Sequence, residues 1–437
     1  MTTQRSDAPA LDRAVRKATI RLLPFLALML ILAFLDRANI GFAKIAYQAD
    51  TGISEAAYAL GAGIFFIGYA LFEVPSNLIM HRVGARMWLS RIMVSWGLVS
   101  ASMLFAHTEN TLYALRFLLG VCEAGFYPGV LLYLTYWFPA KNRARAIGLF
   151  YLGVPLSLVL GGPLSGFLLN FHEVFGLTNW QLMFAVEGLA ATIVGVMAFF
   201  YLDNNPQEAT WLSKEEKAAL ATVLENEERK KLAGGGHTAM GVLKDPRVWA
   251  FIGVYFCLQV GAAPLIFFLP SKLAASMGGH ITFAVGLLIA IPWLCSAMTI
   301  YAVTAYADRH DNHRQVVMMM VTVGTLALAS LLWISSPLLI VIAACIAIPG
   351  LTASQPVFWS LPTRYLGGTA AASGIAFIVS IGNVGSFLSP QIKVFADKFF
   401  ASSNAGFVVL ALICSVSVLL LLWLRRGGSA SALARAY

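Results

Sequence analysis

The composition of this 437-residue chain is typical of a membrane protein. Hydrophobic residues make up 59% of the sequence and charged residues only 12%, whereas a soluble domain carries about 25% charged residues. The mean hydropathy of +0.76 agrees, so a soluble enzyme or binding module is excluded. The net charge of +9 would suit a nucleic-acid-binding protein, but its distribution along the chain argues against that class.

Long apolar runs predict twelve membrane-spanning helices. They are too long and too uniform for the alternating strands of an outer-membrane barrel. The first run follows a basic arm and contains no small-residue cleavage site, so we interpret it as a retained span rather than a signal peptide. The predicted spans lie at roughly 22–46, 56–80, 88–107, 111–137, 144–170, 180–202, 248–271, 282–306, 315–335, 337–361, 370–392 and 403–424.

Basic residues are concentrated on one side of the predicted membrane. With twelve spans, 24 of the 30 Lys and Arg residues fall in the two termini, in the connections on the same side as the termini or, for Arg91 and Arg145, in the first turn of the span that follows such a connection. Cytoplasmic loops of membrane proteins are enriched in Lys and Arg. We therefore expect a multi-pass membrane protein with both termini in the cytoplasm.

The longest polar stretch divides the chain into two halves of six spans each. We expect an N-terminal six-helix bundle at 1–202, a cytoplasmic linker at 203–247 and a C-terminal six-helix bundle at 248–437. In the linker, Ser213 and Glu216 have the spacing of a capping box at the start of a surface helix. The glycines at 234–236 predict a flexible connector after that helix.

The two halves contain related loop motifs. HRVGAR after span two resembles DRHDNHR after span eight, and their first residues, His81 and Asp308, lie 227 positions apart. The prolines of two further motifs, Pro139 and Pro362, lie 223 positions apart. Near-constant offsets predict a duplicated unit, and hence two pseudo-symmetric bundles that work by alternating access. Chance recurrence of short basic turns is the alternative. The candidate gating residues in these loops are His81, Arg82, Gly84, Arg86, Asp308 and Arg309.

Charged residues inside the predicted spans are concentrated in the first half: Asp36, Arg37, Glu73, Arg116, Glu123 and Glu187. A charge in hydrocarbon costs roughly 2.5–3.5 kcal/mol on the insertion scale, which favours a functional role. Arg116 and Glu123 are seven residues apart and therefore share a helix face. Arg116 can bind a carboxylate through two hydrogen bonds, and a buried Glu123 can carry a proton. A static network that joins helices is the alternative.

Asp36 and Arg37 are neighbours that point about 100° apart on a helix. They cannot both face the same partner, so one should face the cavity and the other a neighbouring helix or the domain seam. We expect Asp36 to be a second proton-carrying group and Arg37 to offset charge or contact the substrate. For Glu73 and Glu187, capping or bracing of helix ends is the favoured interpretation.

The second half offers neutral polar and aromatic side chains. The pairs that share a helix face are Tyr255 with Gln259, Gln355 with Trp359, and Ser380 with Asn383, and Tyr69 of span two could join them. Amides can hold hydroxyl groups and an indole can cover a carbon face, so these residues suit a hydroxylated ligand. Packing without a ligand is the alternative for each residue.

The sequence indicates no enzyme, metal site or cofactor. The five cysteines lie in apolar spans without paired spacing, and the seven histidines lie in or beside connections. There is no nucleophile elbow and no H-x-x-x-H pattern, which catalytic sites of those kinds would require. We expect a monomer in the bilayer with no nucleic-acid partner. A non-transporting sensor would usually carry an added soluble domain, which we do not expect here.

Six motifs carry a resemblance to a known family: FLDRANIGFA, GYALFEVPSN, HRVGAR, RFLLGVCEAGFYPG, YWFPAKNRARAIG and QPVFWSLPT. Together they resemble the anion:cation symporter branch of the major facilitator superfamily, over nearly the whole chain. AFLDRANIGFAKIAYQADTGISEAAYALGAGIFF and LIFFLPSKLAA are most similar to the bacterial rhamnonate and other sugar-acid transporters. The resemblance implies the twelve-helix major facilitator fold and import of an organic anion driven by protons or sodium ions.

The resemblance also implies roles for individual residues. In sugar-acid members the protonatable pair corresponds to Asp36 and Glu123, and the arginine that holds the substrate carboxylate corresponds to Arg116. Further positions at the substrate correspond to Arg37, Tyr69, Trp359 and Asn383. Two features depart from the family: His81 replaces an acidic loop residue, and a span-five glutamine that contacts hydroxyl groups is missing from YLGVPLSLVLGG.

We therefore expect a proton-coupled importer of an aldonate, such as rhamnonate or galactonate, in the bacterial inner membrane. Import of an aromatic or dicarboxylic acid, such as phthalate, 4-hydroxyphenylacetate or tartrate, is the alternative. A dicarboxylate would require a second cation in the cavity, and the second half has none away from the ends of its spans. Arg37 could supply that cation, so the alternative stays open.

Overall fold

The structure, a computed structural model, describes residues 4–169, 171, 174–233, 241–277, 283–366, 368–402 and 405–433. These residues form helices and connecting turns, with an isolated bridge between Val174 and Leu177. The prediction of an all-α protein is confirmed. The predicted connector at 234–236 lies outside the described residues.

The helices of the first half are α1 (Gln4–Thr51), α2 (Glu55–Val83), α3 (Ala85–Ser102), α4 (Glu109–Glu123), α5 (Phe126–Trp137), α6 (Ala140–Tyr151), α7 (Gly153–Leu169) and α8 (Asn179–Tyr201). The linker contains α9 (Lys214–Ala233). The second half contains α10 (Pro246–Phe267), α11 (Leu269–Ser276), α12 (Phe283–His310), α13 (His313–Ser330), α14 (Pro337–Thr352), α15 (Ser354–Tyr365), α16 (Gly368–Phe399) and α17 (Ala405–Leu433). Two short 3₁₀ helices cover Met103–Phe105 and Gly241–Lys244.

Eleven helical stretches in the described part of the chain are long and apolar enough to cross a membrane. They coincide with every predicted span except the ninth, at 315–335. Helix α13 has 18 residues and overlaps most of that ninth span, but its first turn contains His313, Arg314 and Gln315. These polar residues lower its hydropathy.

The chain forms two compact units. One comprises Met1–Ala239 and Thr363–Ala376, and the other comprises Met240–Pro362 and Phe377–Tyr437. In the first unit, α3 packs against α8, α2 against α4, and α1 against α7 and α8. Helices α2 and α4 can approach closely because Gly120 has no side chain. A Cβ at this position would lie only 2.1 Å from the carbonyl oxygen of Phe65. Small residues at such interfaces allow tight packing of membrane helices.

The second unit is built from other helix pairs. Helix α10 packs against α17, while α14 packs against α12 and α13. Gly324 of α13 faces Gly350 of α14, and a Cβ on Gly350 would lie 2.5 Å from the Cα of Gly324. Small residues therefore allow close helix packing within each of the two units.

The fourth span consists of two helices, α4 and α5, with a break directly after Glu123. Pro128 has no N–H to donate to the carbonyl of Ala124, and its ring would collide with that carbonyl in a continuous helix. Gly125 at the break has a φ of 88°, which favours glycine. A Cβ on Gly125 would also lie 2.3 Å from the Oγ of Ser76. The break therefore fixes Glu123 as the last residue of α4.

Helix α9 is attached to the N-terminal part of α1. The backbone N–H of Ser213 donates to Glu216 Oε2 at 2.9 Å, and the backbone N–H of Glu216 donates to Ser213 Oγ at 3.2 Å, so the predicted capping box is confirmed. Lys17 Nζ donates to Glu216 Oε2 at 2.8 Å. Burial alone would raise the pKa of Glu216, but the bonds from Lys17 and the Ser213 backbone hold that pKa below its usual value. The charged pair thus stabilises the docking of α9.

The connections after spans four and ten exchange hydrogen bonds within the first compact unit. Arg143 Nη1 donates to the carbonyl oxygen of Thr363 at 3.3 Å, and Arg364 Nη2 donates to the carbonyl oxygen of Ala140 at 3.0 Å. Each accepting residue directly follows the proline of its motif. Each arginine therefore binds the equivalent carbonyl of the other motif, which supports the interpretation of a duplicated unit.

Candidate functional site

Asp36 is buried against α3 and accepts three hydrogen bonds. Its Oδ1 accepts from Asn39 Nδ2 at 3.0 Å and from the hydroxyl of Ser100, and its Oδ2 accepts from Trp96 Nε1 at 3.1 Å. Its exposed fraction is 3%. These donors stabilise the ionised form of the carboxyl group, which burial disfavours.

Arg37 turns away from Asp36 and binds Glu123 of α4. Arg37 Nε lies 2.8 Å and Arg37 Nη2 lies 2.5 Å from the same oxygen, Glu123 Oε1. Glu123 is fully buried, whereas the side chain of Arg37 is 25% exposed. The rings of Phe34, Phe65 and Tyr69 lie within 5.0–5.7 Å of the Arg37 guanidinium. The neighbours thus face different partners, as expected, and Arg37 compensates the charge of the buried acid.

Arg116 is buried, and no carboxylate among the described residues is paired with it. In the part of the chain that the structure describes, Arg116 forms no ion pair, and its Nε has no hydrogen-bond partner. Its guanidinium lies 5.0 Å from the centre of the Phe65 ring. Asp36 and Glu123 interact with it electrostatically, but their hydrogen-bonding partners are other residues. A guanidinium in this situation can accept a carboxylate from a ligand.

Glu73 and Glu187 are also buried, inside α2 and α8 respectively. The expectation that they cap helix ends is wrong, because both lie several turns from either end of their helices. Glu187 Oε1 accepts a hydrogen bond from Ser165 Oγ at 3.0 Å. That bond joins α8 to α7, so bracing between helices is compatible with the structure for Glu187.

The second unit brings its predicted residues together in two groups. Gln259 Nε2 of α10 donates to Asn383 Oδ1 of α16 at 3.1 Å. The rings of Tyr255 and Trp359 lie 4.9 Å apart, with Phe358 stacked on Tyr255 at 6.1 Å.

The remaining two predicted residues of this unit, Gln355 and Ser380, are buried on α15 and α16. The amide pair thus joins α10 to α16, and the aromatic group joins α10 to α15. These side chains can offer hydrogen bonds and a flat apolar surface from one unit.

Comparison with known proteins establishes the family of this chain. The profile of the Major Facilitator Superfamily matches residues 26–390. The chain belongs to the major facilitator superfamily. Its prediction as a membrane transporter of this fold, and not an enzyme, is therefore confirmed.

Individual members of the superfamily agree with this assignment. The inner membrane transport protein RhmT of Escherichia coli (strain K12) is 43% identical over 415 residues, which cover 95% of this chain and 96% of the relative. A putative tartrate transporter of Agrobacterium vitis is 40% identical over 414 residues, which cover 95% of this chain and 92% of the relative. Among solved structures, a double tryptophan mutant of XylE has a TM-score of 0.74 at 14% identity, covering 92% of this chain and 94% of that one, which supports the fold alone.

The loop after span two of this superfamily member has its own set of contacts. Gly84, with a φ of 99°, ends α2, and the backbone N–H of Arg86 donates to Asn204 Oδ1 at 3.0 Å. His81 Nδ1 lies 3.2 Å from the hydroxyl oxygen of Tyr136. Asn204 thus supports the turn, while His81 contacts a neutral partner.

The equivalent loop after span eight uses a different pair. Asp308 Oδ1 lies 2.9 Å from Nε2 of the buried His313. Arg309 and its counterpart Arg82 lie in the last turns of α12 and α2 and are exposed. The two copies of the loop motif therefore differ in their local contacts, even though their positions in the two halves correspond.

Several residues of the site were not predicted from the sequence. Phe65 is close to the guanidinium groups of both Arg37 and Arg116, at 5.7 Å and 5.0 Å from the ring centre. The sequence signal for it was its position four residues before Tyr69 on the same helix face. The donors to Asp36 also escaped prediction. Asn39 could have been found from its i+3 spacing to Asp36, whereas Trp96 and Ser100 gave no local signal.

Proposed function

We propose that this transporter imports a sugar acid, such as an aldonate, together with protons across the bacterial inner membrane by alternating access, with both termini in the cytoplasm. The proposal depends on one observation above all. Glu123 compensates Arg37, while Arg116 is buried beside the same aromatic ring without a carboxylate partner in the described chain. A substrate carboxylate is the group that Arg116 lacks.

Recognition in this proposal uses both charge and neutral polar groups. Arg116 binds the carboxylate through its planar fork. Arg37 and Tyr69 lie next to the same Phe65 ring as Arg116. Hydroxyl groups of the substrate exchange hydrogen bonds with the amides of Gln259 and Asn383, which bind each other at 3.1 Å in the structure. Tyr255, Gln355, Trp359 and Ser380 complete the proposed substrate-binding set.

Coupling in this proposal uses the protonation of Asp36 and Glu123. A proton on Glu123 removes the charge that Arg37 compensates, so Arg37 gains the capacity to attract an anion. Release of the protons restores the Arg37–Glu123 ion pair and the negative charge of Asp36, which repel the substrate. Binding of the anion and binding of protons therefore favour each other.

Glu123→Gln tests the coupling. We expect the variant to lose proton-driven accumulation of substrate in proteoliposomes but to keep substrate exchange, because the amide cannot carry a proton. Glu109→Gln is the matched control, since Glu109 is an exposed residue in the first turn of the same helix. A Glu123→Gln variant that still concentrates substrate against a gradient would contradict the assignment.

A dicarboxylic acid is a second candidate substrate. The guanidinium groups of Arg37 and Arg116 lie 5.7 Å and 5.0 Å from the centre of the same Phe65 ring, so two carboxylates could be bound when Glu123 is protonated. The relative named as a putative tartrate transporter is compatible with this candidate. Counterflow in proteoliposomes with a panel of aldonates, dicarboxylates and aromatic acids separates these classes.

Asn383→Ala refines the test of substrate class. If hydroxyl groups are recognised by the amide pair, the variant should lose at least about tenfold in affinity, ~1.4 kcal/mol, for hydroxylated acids only. Thr322→Ala on the exposed face of α13 serves as the control, since its hydroxyl donates to Met318 of its own helix. An equal loss for aromatic acids would contradict recognition of hydroxyl groups at Asn383.

A further inference from the structure

The three hydrogen bonds to the Asp36 carboxyl group come from donors of different kinds. Trp96 Nε1 of α3 donates to Oδ2 at 3.1 Å. Oδ1 accepts from Ser100 Oγ of α3 and from Asn39 Nδ2 at 3.0 Å. An indole N–H can only donate, whereas a serine hydroxyl has lone pairs and can also accept. The two oxygens of Asp36 therefore have partners with different chemical capacities.

The helix that carries Trp96 and Ser100 is held closely against α8. The two residues are four positions apart and thus share one face of α3. Between them, a Cβ on Gly97 would lie 2.6 Å from the carbonyl oxygen of Gly188, so α3 has little room to shift. Trp96 and Ser100 have exposed fractions of 0%. Water therefore does not compete with Asp36 for their donor groups.

Neutral groups, not charged ones, make the direct contacts of the Asp36 carboxyl group in the described chain. Arg116 and Glu123 of α4 and Glu187 of α8 interact with it electrostatically, but none of them forms a hydrogen bond with it among the described residues. Helix α7, which also packs against α1, contains no charged residue. Donors such as Trp96 and Ser100 therefore influence directly which form of the carboxyl group is favoured.

Protonation of Asp36 must change one of these hydrogen bonds. A proton on Oδ2 would face the N–H of Trp96, and two donors cannot satisfy each other. A proton on Oδ1 can instead be donated to Ser100 Oγ, once the serine hydroxyl has turned from donor to acceptor. Oδ2 then remains the carbonyl oxygen and keeps the hydrogen bond from Trp96. The second arrangement preserves every described partner of the carboxyl group.

We propose that Trp96 and Ser100 are positioning residues for the protonation of Asp36: Trp96 keeps Oδ2 unprotonated, and Ser100 reverses its hydroxyl so that Oδ1 takes the proton. Trp96 stabilises the ionised carboxylate more than the neutral acid, because a hydrogen bond to a charged oxygen is the stronger one. Ser100 supports both forms, as donor to the first and as acceptor from the second. Their effect on transport rests on the proposed role of Asp36 in coupling, whereas the place of protonation does not.

Infrared spectroscopy tests the place of protonation without transport. The purified full-length protein is titrated from about pH 9 to about pH 4, and the C=O stretching band of neutral Asp36 is the band that Asp36→Asn removes. Trp96→Phe should move this band to higher frequency, because the C=O group at Oδ2 loses its hydrogen bond. Ser100→Ala leaves that hydrogen bond in place and should move the frequency less. A band that Trp96→Phe does not move overturns the proposal, as does the absence of any band that Asp36→Asn removes.

The pH midpoint of the same band tests the different roles of the two donors. Trp96→Phe removes support from the ionised form, so the midpoint should rise by about one pH unit or more. Ser100→Ala removes a partner of both forms, so the midpoint should rise by less than about half a pH unit. A rise in Ser100→Ala that equals or exceeds the rise in Trp96→Phe overturns the proposal.

Matched controls lie on the same helix. Trp88 Nε1 donates to Ser76 Oγ at 2.9 Å, and Ser90 Oγ donates to the carbonyl oxygen of Gly195. Trp88→Phe and Ser90→Ala should therefore leave the frequency and the midpoint of the band unchanged. A control that shifts the band as far as Trp96→Phe does would overturn the proposal.

A second variant covers the case in which Trp96→Phe does not fold. Benzothienylalanine at position 96 keeps the shape of the ring system and replaces its N–H with sulfur. The same rise in frequency and midpoint is expected, because only the donor is lost. An unshifted band in this variant overturns the proposal.

Transport separates failure of the proposal from failure of the coupling scheme. For a sugar acid found in the counterflow panel, the pH midpoint of binding should rise in Trp96→Phe together with the infrared midpoint. If Asp36→Asn leaves the pH profile of binding unchanged, the coupling scheme fails while the infrared results on Asp36 stand. If the infrared shifts of Trp96→Phe and Ser100→Ala come in the reverse order, the proposal fails while the coupling scheme stands.

Discussion

At the scale of single residues, partners separate groups that look alike in the sequence. Arg37 and Arg116 are both arginines in apolar spans, yet Arg37 has Glu123 at 2.5–2.8 Å. Arg116 forms no ion pair with any described residue, and its guanidinium lies 5.0 Å from the centre of the Phe65 ring. Protonation of Glu123 would leave the charge of Arg37 uncompensated, whereas Arg116 stays positively charged whatever the state of Glu123. This difference is the basis for assigning the substrate carboxylate to Arg116.

Arg116→Lys should weaken substrate binding by more than about tenfold, ~1.4 kcal/mol. Lysine keeps the charge but loses the planar fork that forms two parallel hydrogen bonds with a carboxylate. Direct binding measurements on the purified protein provide the test. Arg91→Lys is the matched control, because Arg91 contacts the Trp88 ring at 4.0 Å on α3. Unchanged affinity in Arg116→Lys would mean that Arg116 has a structural role only.

At the scale of elements, the broken fourth span positions the proton-carrying side chain. Helix α4 ends at Glu123 because Pro128 cannot continue the hydrogen-bond ladder through Ala124. Gly125 then adopts a left-handed backbone conformation with a positive φ, and α2 packs close to it. Irregular backbone inside a membrane is tolerated where it is enclosed by protein, and here Ser76 of α2 encloses it.

Gly125→Ala should destabilise the protein by about 1–2 kcal/mol or more. The left-handed conformation is unfavourable for alanine, and its Cβ would lie 2.3 Å from Ser76 Oγ. Thermal unfolding in detergent measures the effect. Gly41→Ala is the control, since a Cβ at Gly41 of α1 meets nothing within 4 Å and should be neutral or slightly stabilising. Equal stability of the two variants would contradict the role of the break.

At the scale of the whole molecule, charge balance in the first unit should link pH to substrate affinity. In its membrane spans, four buried acids, Asp36, Glu73, Glu123 and Glu187, stand against the buried Arg116 and the partly exposed Arg37. When the acids are ionised, an arriving carboxylate meets surplus negative charge in a medium of low dielectric constant. Protonation of Asp36 and Glu123 removes that surplus.

Apparent affinity should therefore rise as pH falls from about 8 to about 5, through the range in which buried carboxyl groups titrate. Protonation removes negative charge that repels the anion, so protonation strengthens anion binding. By linkage, anion binding must favour protonation to the same extent. Binding measured across this range in detergent gives the profile. The double variant Asp36→Asn with Glu123→Gln should flatten it. A flat wild-type profile would leave these charges as scaffold.

The sequence alone determined the membrane class, the spans and the capping box of α9. These features depend on local hydropathy and on contacts between residues a few positions apart. The structure confirms the capping box through the two hydrogen bonds between Ser213 and Glu216. The neighbours Asp36 and Arg37 could also be assigned to different faces, because helix geometry fixes that angle. The family motifs extended this reasoning to the fold, which the comparisons confirm.

The tertiary structure alone decided which charges are paired. Arg37 meets Glu123 across 86 positions of sequence, and Asp36 meets Trp96 and Ser100 across 60 and 64. Such contacts depend on how α1, α3 and α4 pack, and no periodicity within one helix encodes that packing. The sequence identified the acids and the arginines. Packing of the helices left Arg116 without a carboxylate partner among the described residues and brought Trp96 and Ser100 to Asp36.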